Sequence, residues 1–295
     1  MAENGRSDSA HRVNFDNLQG LIVTETLLVG CGNMGQAMVA GWLAAGEDPA
    51  RFTAVRPSGT PVPGIRTVRS IGEADLIPDR IILGFKPQQL RSLAPEVGRW
   101  ITSRTLLVSM LAGADSATLA ELFPRARAIV RVMPNLPVAV RRGVLPLFSR
   151  EADDALKSEL QPWFSLLGFA PWCASEEEFG AIGFVSGSTP AYVARFIAAF
   201  AAAGEGRGLD PGLALTAARE AVLGSAWLAA STGEPMDELA RRVTSPNGTT
   251  EAGLKVLDPE LPSLIDRTLA SATRRSGELA AEIRTVVPAQ AGTPA

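Results

Sequence analysis

Short apolar runs alternate with longer helical stretches over residues 26–175, a pattern typical of a parallel α/β sheet. The first run, Leu27 to Val29, comes directly before a helical stretch from Met34 to Ala45. Further strands are predicted at Phe52 to Val55, Ile81 to Phe85, Leu106 to Ser109 and Ala128 to Val132, with a helix at Ser116 to Phe123. The fold expected for this half is therefore an α/β sheet of six or more strands.

The pattern changes after about Cys173, where the strand-like runs end. Helices are predicted at Ala191 to Ala203, Pro211 to Ser231, Pro235 to Arg242, Glu251 to Leu257 and Glu260 to Arg284. Helices that are apolar nearly all round, such as Phe196 to Ala203, are normally buried. We therefore expect residues 26–175 to form the α/β domain and residues 176–287 an all-α domain that another subunit partly covers. A monomeric, alanine-rich bundle is the alternative.

Two end segments differ from this pattern. Residues 1–25 are polar and mixed in charge, without the apolar core of a signal peptide, and are expected to be a flexible leader. Residues 288–295 are expected to be a disordered tail.

Composition excludes several classes of function. The 295 residues carry 28 Lys and Arg against 31 Asp and Glu, so no excess positive charge attracts nucleic acid or anionic lipid. No stretch reaches the roughly 18 uninterrupted apolar residues of a spanning helix. The single histidine, His11, lies in the leader, which excludes histidine-dependent catalysis and histidine-rich metal sites. Two cysteines are too few for a disulfide framework. A cytoplasmic protein without nucleic-acid, membrane or metal partners is expected.

A glycine motif follows the first strand and opens the first helix. It reads Gly30-Cys31-Gly32-Asn33-Met34-Gly35, which is G-x-G-x-x-G. In this context Gly30 makes the tight turn, Gly32 lets the backbone approach a pyrophosphate and Gly35 allows close helix–strand packing. Backbone N–H groups at the helix start then face the phosphates. The motif predicts dinucleotide binding, and a purely structural glycine turn is the alternative.

The end of the second strand carries the signal for cofactor choice. NAD enzymes usually place an acid there for the ribose 2'-hydroxyl. No carboxylate occurs between Asp48 and Glu73, and the strand is followed by Arg56-Pro57-Ser58. An arginine and a hydroxyl suit a 2'-phosphate, so NADPH is predicted in preference to NADH. The alternative is that Arg56 is only a solvated surface charge.

Phe85-Lys86-Pro87 follows another predicted strand and therefore lies where open α/β sheets bind ligands. Lys86 is one of only three lysines. A catalytic lysine is one interpretation, and the favoured one is a backbone-shaping Lys-Pro segment that borders the nicotinamide. A later loop, Arg131 to Pro137, lies on the same ligand side.

A second candidate site lies in the helical half. Ser245, Pro246, Asn247, Gly248, Thr249 and Thr250 precede a helical pattern. Hydroxyl groups and free N–H groups at a helix N-terminus form a good carboxylate site. An ordinary helix cap explains the same residues equally well.

In this order along the chain, the motifs resemble those of the pyrroline-5-carboxylate reductase family. The similarity spans about Leu27 to Leu279. The residues that carry it are Gly30 to Met34, Lys86 to Gln88, Ala112-Gly113, Val130 to Asn135, Ser186 to Ser188, Pro190 to Tyr192, Val243 to Pro246, Gly248 to Thr250 and Gly253 to Leu257.

The resemblance implies an N-terminal Rossmann-type doubly wound sheet followed by an all-α dimerisation domain like the C-terminal domain of 6-phosphogluconate dehydrogenase. It implies a homodimer through the helical domain, extending in some members to a ring of dimers. It also implies hydride transfer from NAD(P)H to the C=N carbon of 1-pyrroline-5-carboxylate, giving L-proline. An imine protonated by water or substrate is already electrophilic, so alignment and carboxylate neutralisation suffice without a histidine.

Carried over by position, the resemblance assigns residues to each ligand. The dinucleotide would contact Gly30, Gly32, Asn33, Met34, Gly35, Arg56 and Ser58, and its nicotinamide half would contact Phe85, Lys86, Pro87, Ala112, Gly113 and Asn135. The substrate carboxylate would bind Ser245, Gly248, Thr249 and Thr250. Thr250 is also placed to hydrogen-bond the ring nitrogen and is the catalytic candidate. The helical loop could complete a site on the partner's Rossmann domain.

The chain departs from the family pattern at four positions. Thr189 and Asn247 stand where glycine is usual, and Ala198 and Ala202 stand where acids are common. Asn247 can keep the turn because asparagine tolerates positive φ. Alternative functions are an imine reductase for another cyclic imine carboxylate and a non-catalytic NADP-binding paralogue. A β-hydroxyacid dehydrogenase-like enzyme is disfavoured because no lysine lies between Lys157 and Lys255.

Overall fold

The computed structural model of the chain describes residues 24–285. The predicted leader, apart from its last two residues, and the predicted tail lie outside the described residues. The strands are β1 (Thr26–Val29), β2 (Phe52–Val55), β3 (Arg66–Val68), β4 (Arg80–Leu83), β5 (Leu106–Ser109), β6 (Ala128–Val132), β7 (Gly143–Val144), β8 (Leu147–Phe148) and β9 (Gly168–Phe169). The helices are α1 (Asn33–Ala44), α2 (Leu90–Gly98), α3 (Ser116–Leu122), α4 (Asp154–Ser165), α5 (Glu176–Ser186), α6 (Thr189–Glu205), α7 (Pro211–Thr232), α8 (Met236–Arg242) and α9 (Thr249–Thr285).

Seven strands form one sheet in the order β3-β2-β1-β4-β5-β6-β8. All neighbouring pairs are parallel except β6 and β8, which are antiparallel. The order reverses between β1 and β4, and open α/β sheets bind ligands in the crevice outside the carboxyl ends of strands at such a point. The predicted Rossmann-type sheet is confirmed, and its crevice lies between the loops that follow β1 and β4.

Helices cover the sheet on both faces, so the crevice stands on a rigid platform. One face packs against α1 and α4, where the Trp42 indole stacks on Trp163 with ring centroids 4.3 Å apart. The opposite face packs against α2 and α3. Successive strand residues alternate between these two cores, as in β4, where Ile82 faces the first core and Ile81 the second.

The connection between β2 and β3 contains no helix. It spans only residues 56–65, whereas a parallel crossover usually takes a dozen or more residues and a helix. Val62 is buried in the core beside α1. Gly64 lies so close to Leu43 that an added Cβ would be 2.6 Å from Leu43 Cδ1. The loop thus folds directly onto α1, and its first residues stay at the carboxyl edge of the sheet.

The second half is helical from Glu176 onward, as predicted. The expected break between Leu257 and Glu260 is wrong, because α9 runs without interruption from Thr249 to Thr285 and contains Pro259 and Pro262. A proline removes one N–H donor and crowds the preceding turn, which is why the sequence favoured a break. Here the two prolines lie within one turn of each other, and the helix continues on either side.

The helical half has little core of its own. The buried cluster between α6 and α7 consists of Ala201, Ala214 and Ala218, with Ile197 packed against it. Large apolar side chains on the same two helices are exposed, including Leu223 at 59% and Trp227 at 58%. Apolar area of this kind marks an interaction surface. Within residues 24–285, no helix combines the length and apolarity required to cross a membrane.

Candidate functional site

The loops after β1 and β4 are joined backbone to backbone. Gly30 has φ +79°, and a Cβ on it would lie 2.7 Å from the Phe85 backbone nitrogen. A Cβ on Gly84 would overlap the Gly30 carbonyl oxygen. The predicted strand at Ile81 to Phe85 therefore ends earlier, at Leu83, because Gly84 and Phe85 form this contact. Two glycines bring the predicted dinucleotide loop against the Phe85 to Pro87 segment.

The first turn of α1 is open to solvent. Gly32 is its N-cap, no side chain caps the helix, and a Cβ on Gly32 would meet nothing within 4 Å. Asn33 is also exposed. The first N–H groups of a helix have no partner inside the helix, and they favour an anion. This turn is therefore a cradle with room for a phosphate.

Below the cradle the packing is tight. A Cβ on Gly35 would lie 3.0 Å from the Cys31 sulfur, so this glycine allows the close approach that the motif predicts. Burial raises the pKa of the Cys31 thiol to about 11, an effect that the nearby charge of Arg56 partly offsets. Cys31 is consequently a neutral packing residue, and the guanidinium of Arg56 lies close to the glycine loop after β1.

Arg56 begins the loop after β2, and its N–H donates to the Val68 carbonyl at 2.8 Å. Its guanidinium makes one long hydrogen bond, 3.5 Å to the Pro61 carbonyl oxygen. The Ser58 hydroxyl donates to the Thr60 hydroxyl at 3.0 Å across a turn at Gly59. Both predicted 2'-phosphate residues therefore stand at the carboxyl edge of β2, beside the start of α1.

A cavity of about 230 Å³ opens at the carboxyl ends of β5 and β6. Its lining comes from these strand ends, α1 and α5, and consists of Met34, Ser109, Met110, Leu111, Ala112, Arg131, Val132, Met133, Pro134 and Phe179. Gly113 follows Ala112 with φ +78°. Lys86 is exposed, and its ammonium forms no hydrogen bond or ion pair with residues 24–285. The cavity brings together Met34 and Ala112 from the predicted set.

Arg131 is the ionisable residue of this lining. It forms an ion pair with Glu176 at 3.4 Å, and its guanidinium carbon lies 4.6 Å from the centre of the Phe179 ring. Burial lowers the pKa of Arg131, while Glu176 opposes that shift. Glu176 also accepts the Ser116 N–H at 3.0 Å. The ion pair joins α5 to the end of β6 and to the start of α3. The guanidinium of Arg131 therefore makes a structural contact.

Asn135 is buried at 5% exposure, and both ends of its amide are used. Its nitrogen donates to the Ser186 carbonyl at 3.0 Å, and its oxygen accepts the Val144 N–H at 2.9 Å. Asn135 is not among the residues that line the cavity, and its two bonds tie it to the end of α5 and to β7. Direct contact with a nicotinamide ring stays a prediction.

The second candidate site forms the start of α9. Asn247 has φ +58°, which confirms that it keeps the turn where the family has glycine. A Cβ on Gly248 would overlap the Ser245 hydroxyl, and the Gly248 N–H donates to the Ser245 carbonyl at 3.0 Å. Thr249 and Thr250 are the first exposed residues of the helix.

One ion pair, between Glu251 and Lys255, lies at this turn. The Glu251 carboxylate accepts the Asn247 N–H and pairs with Lys255 at 2.9 Å, and these contacts lower the pKa of Glu251. Among residues 24–285, no hydrogen bond or ion pair joins residues 245–250 to the sheet domain. Within one chain, α9 does come close to the segment Pro87–Gln89 after β4, but no bond of either kind ties the start of α9 to that segment.

No local sequence signal marks two groups at the carboxyl ends of the strands. Arg131 with Glu176 is a long-range pair, and Arg69 follows β3, a strand too short and polar to be recognised. Arg69 lies against Gly59, where a Cβ would be 2.8 Å from its Nε. In the described part of the chain, no cluster of three or more His, Cys, Asp or Glu side chains could hold a metal ion.

Two sequence profiles match the chain. The profile described as pyrroline-5-carboxylate reductase dimerisation matches residues 176–279. The profile described as NADP oxidoreductase coenzyme F420-dependent matches residues 26–113. The first lies in the helical half, and the second covers β1 to the Ala112-Gly113 loop.

Curated relatives and solved structures cover nearly the same span. The pyrroline-5-carboxylate reductase of Pseudomonas aeruginosa is 34% identical over 263 residues, 86% of this chain and 96% of the relative. The Escherichia coli reductase is 34% identical over 240 residues, 78% of this chain and 88% of the relative. The Coxiella burnetii pyrroline-5-carboxylate reductase structure has a TM-score of 0.78 at 30% identity and covers 88% of this chain and 99% of that one. The Plasmodium falciparum pyrroline carboxylate reductase with NADP bound has a TM-score of 0.77 at 24% identity, covers 87% and 98%, and supports the fold alone.

Proposed function

The chain belongs to the pyrroline-5-carboxylate reductase family, and we propose that it reduces 1-pyrroline-5-carboxylate to L-proline by transferring a hydride from NADPH to the C=N carbon. It is an NAD(P)-dependent oxidoreductase of that family. The observation that carries the proposal is the open first turn of α1 beside the cavity at β5 and β6, in a chain 34% identical to such a reductase over most of its length.

The cofactor fits the residues present. The first turn of α1 holds the pyrophosphate through the N–H groups of Asn33, Met34 and Gly35, and Gly32 leaves the space for it. Arg56 and Ser58 hold the 2'-phosphate, which selects NADPH over NADH. Bound NADPH supplies the hydride. Phe85, Lys86, Pro87, Ala112 and Gly113 border its nicotinamide half, and Asn135 supports that wall through its bonds to Ser186 and Val144.

The start of α9 holds the substrate carboxylate. A turn fixed by Asn247 and Gly248 presents the Ser245 and Thr249 hydroxyls together with the free N–H groups of the helix. The positive end of the helix dipole favours an anion there. Thr250 donates or accepts a hydrogen bond at the ring nitrogen. Its hydroxyl is free for that role, because it has no hydrogen-bond partner among residues 24–285.

The cavity provides alignment rather than proton transfer. Its lining contains no carboxylate, histidine or lysine, and Arg131 is held by Glu176. A protonated imine is already an electrophile, so a reaction that needs no acid or base from the protein suits this lining. Apolar groups such as Met133 and Phe179 exclude water from the hydride path.

The protein is oligomeric, since it carries the family's dimerisation domain. We propose a homodimer through the apolar faces of α6 and α7, extending to a ring of dimers, in which the α9 turn of one subunit serves the sheet domain of the other. The exposed apolar side chains on these two helices, such as Leu223 and Trp227, support the dimer. We propose that the reaction takes place in the cytoplasm, which agrees with the free thiols of Cys31 and Cys173.

The test is NADPH oxidation by the purified protein, followed at its near-ultraviolet absorbance with and without 1-pyrroline-5-carboxylate. Rapid oxidation that depends on this substrate is expected. Turnover only with another cyclic imine carboxylate would favour the alternative substrate, for which Thr189 in place of glycine gives a reason. NADPH binding without turnover on any imine would show that the protein is a non-catalytic NADP-binding paralogue.

Substitution of Thr250 tests the assigned substrate site. Thr250→Ala should lower turnover about tenfold or more and leave the Kd for NADPH unchanged, since it removes one hydrogen bond to a charged group. Thr273→Ala is the matched control, because Thr273 lies on the same helix and its hydroxyl donates to the Leu269 carbonyl. Equal turnover in the two variants would remove Thr250 from the mechanism.

A further inference from the structure

We propose that Arg69 is a second ligand for the 2'-phosphate and that it sets the NADPH preference together with Arg56. The inference rests on the proposed function and extends its account of the cofactor. It concerns a residue after β3, whereas the sequence pattern points only to the end of β2.

The strand register places the two arginines side by side. β2 and β3 are parallel, Val55 pairs with Val68, and the Arg56 N–H donates to the Val68 carbonyl at 2.8 Å. Arg56 and Arg69 are the next residues on the two strands, and neighbouring strands lie about 4.8 Å apart. They therefore leave the sheet at the same level.

The alternation of side chains gives both arginines the same direction. Val55 and Val68 belong to the core against α2 and α3. Continued by one residue, the alternation would direct both arginines to the opposite face, which α1 covers. Arg56 agrees with this direction, because its charge acts on the Cys31 thiol in the loop that opens α1.

The Arg69 side chain reaches across to the β2 loop. A Cβ on Gly59 would be 2.8 Å from Arg69 Nε and 3.1 Å from its Cζ. Gly59 has φ +69°, and its N–H donates to the Arg56 carbonyl at 2.8 Å. Because the loop contains no helix, its first turn lies directly against the end of β3. The turn that contains Ser58 thus begins at Arg56 and has the guanidinium of Arg69 against Gly59.

Neither cation is neutralised by the protein. Within residues 24–285, neither guanidinium has an acidic group within 4.0 Å, and the Arg69 side chain makes no hydrogen bond. The carboxylate of Glu73, four residues later, accepts instead the Arg69 backbone N–H at 3.0 Å and the Ser70 hydroxyl at 3.2 Å. Two unpaired guanidinium groups around one turn match a phosphate monoester with a charge of roughly −1.5 to −2. A ribose 2'-hydroxyl would leave both without an anion.

The experiment compares Arg69→Gln with wild type in the dissociation constants for NADP⁺ and NAD⁺, measured by calorimetry without any imine. The Kd for NADP⁺ should rise about tenfold, as expected for one lost charge-assisted bond, and the Kd for NAD⁺ should change less than about twofold. Arg69→Glu should have a larger effect. Arg104→Gln is the control. Arg104 is exposed and precedes β5, so it lies at the amino ends of the strands, away from the cofactor loops, and its substitution should change neither Kd.

Two results would overturn the inference. An unchanged Kd for NADP⁺ would remove Arg69 from the site. An equal rise for NADP⁺ and NAD⁺ would mean that Arg69 supports the loop or the adenine instead of the phosphate. The binding assay contains no imine, so its result for Arg69 does not depend on whether the protein reduces 1-pyrroline-5-carboxylate. Failure to reduce that substrate would contradict the proposed function alone.

Discussion

Substitution of the first two glycines of the phosphate loop should separate folding from cofactor binding. Gly32 and Gly30 are two residues apart, yet the space around them differs completely. A Cβ on Gly32 would meet nothing within 4 Å, and its φ of −78° is one that any residue adopts. A Cβ on Gly30 would lie 2.7 Å from the Phe85 nitrogen, at a φ of +79°.

The expected change in stability follows from these environments. In Gly32→Ala, alanine is a poorer N-cap than glycine by about 0.5–1 kcal/mol. The reduced entropy of the unfolded chain offsets this by about 0.4–1 kcal/mol. The free energy of unfolding should therefore change by less than about 0.5 kcal/mol. Gly30→Ala combines a left-handed backbone, about 1–2 kcal/mol, with a forced shift of the Phe85 backbone, about 1–3 kcal/mol.

Gly32→Ala should weaken cofactor binding although it leaves stability nearly unchanged. In Gly32→Ala the new methyl group fills the cradle, and loss of charge-assisted bonds worth about 1.5–3 kcal/mol raises the Kd for NADPH roughly 10- to 100-fold. Urea unfolding followed by circular dichroism and NADPH titration by fluorescence measure the two quantities. A Gly32→Ala protein with wild-type stability and wild-type NADPH affinity would refute the assignment of the pyrophosphate to this turn.

Four further predictions concern other parts of the molecule. Arg56→Glu should shift the NADPH/NADH ratio of kcat/KM at least tenfold toward NADH, and an unchanged ratio would contradict the account of selectivity. Leu223→Asp should weaken the dimer about 100-fold or more, since each symmetric copy loses roughly 1.5–3 kcal/mol of apolar burial; light scattering that still finds only dimers at low concentration would argue against the α7 face. Asn247→Val should raise the KM for the imine, because a β-branched residue strains the φ of +58°, whereas Asn247→Gly should not. With a pKa of about 11, only about one Cys31 thiol in a thousand is ionised at pH 8, so iodoacetamide should alkylate it only after unfolding; fast labelling of the native protein would show that the thiol is not buried.

Elements bounded by clear turn signals could be predicted from the sequence. Phe52–Val55, Leu106–Ser109 and Ala128–Val132 agree with the structure because each is a short apolar run buried on both faces. β3 could not be recognised, since Arg66-Thr67-Val68 has one buried residue and follows a crossover without a helix. The continuous α9 was missed because local proline chemistry predicts a break that the helix does not make.

The candidate site could likewise be predicted from the sequence only in part. Residues within one motif, such as Gly30, Gly32 and Gly35, show their roles through spacing alone. Contacts between distant segments give no such signal: Arg69 reaches Gly59, and Asn135 reaches Ser186, only because the sheet brings separate loops together. Sequence patterns therefore indicate which loops bind, and the tertiary structure decides which side chains in them are free to do so.

Because the alanine core between α6 and α7 is small, folding of the helical half should depend on protein concentration. Four small or medium side chains cannot offset the conformational entropy of about a hundred ordered residues. Most of the stabilising area must come from a second chain, so mass action enters the unfolding equilibrium. The thermal midpoint should rise with protein concentration, and dilution should melt the helices before the sheet domain. A newly made chain would then complete its nucleotide-binding half alone and acquire its second half only on meeting another copy.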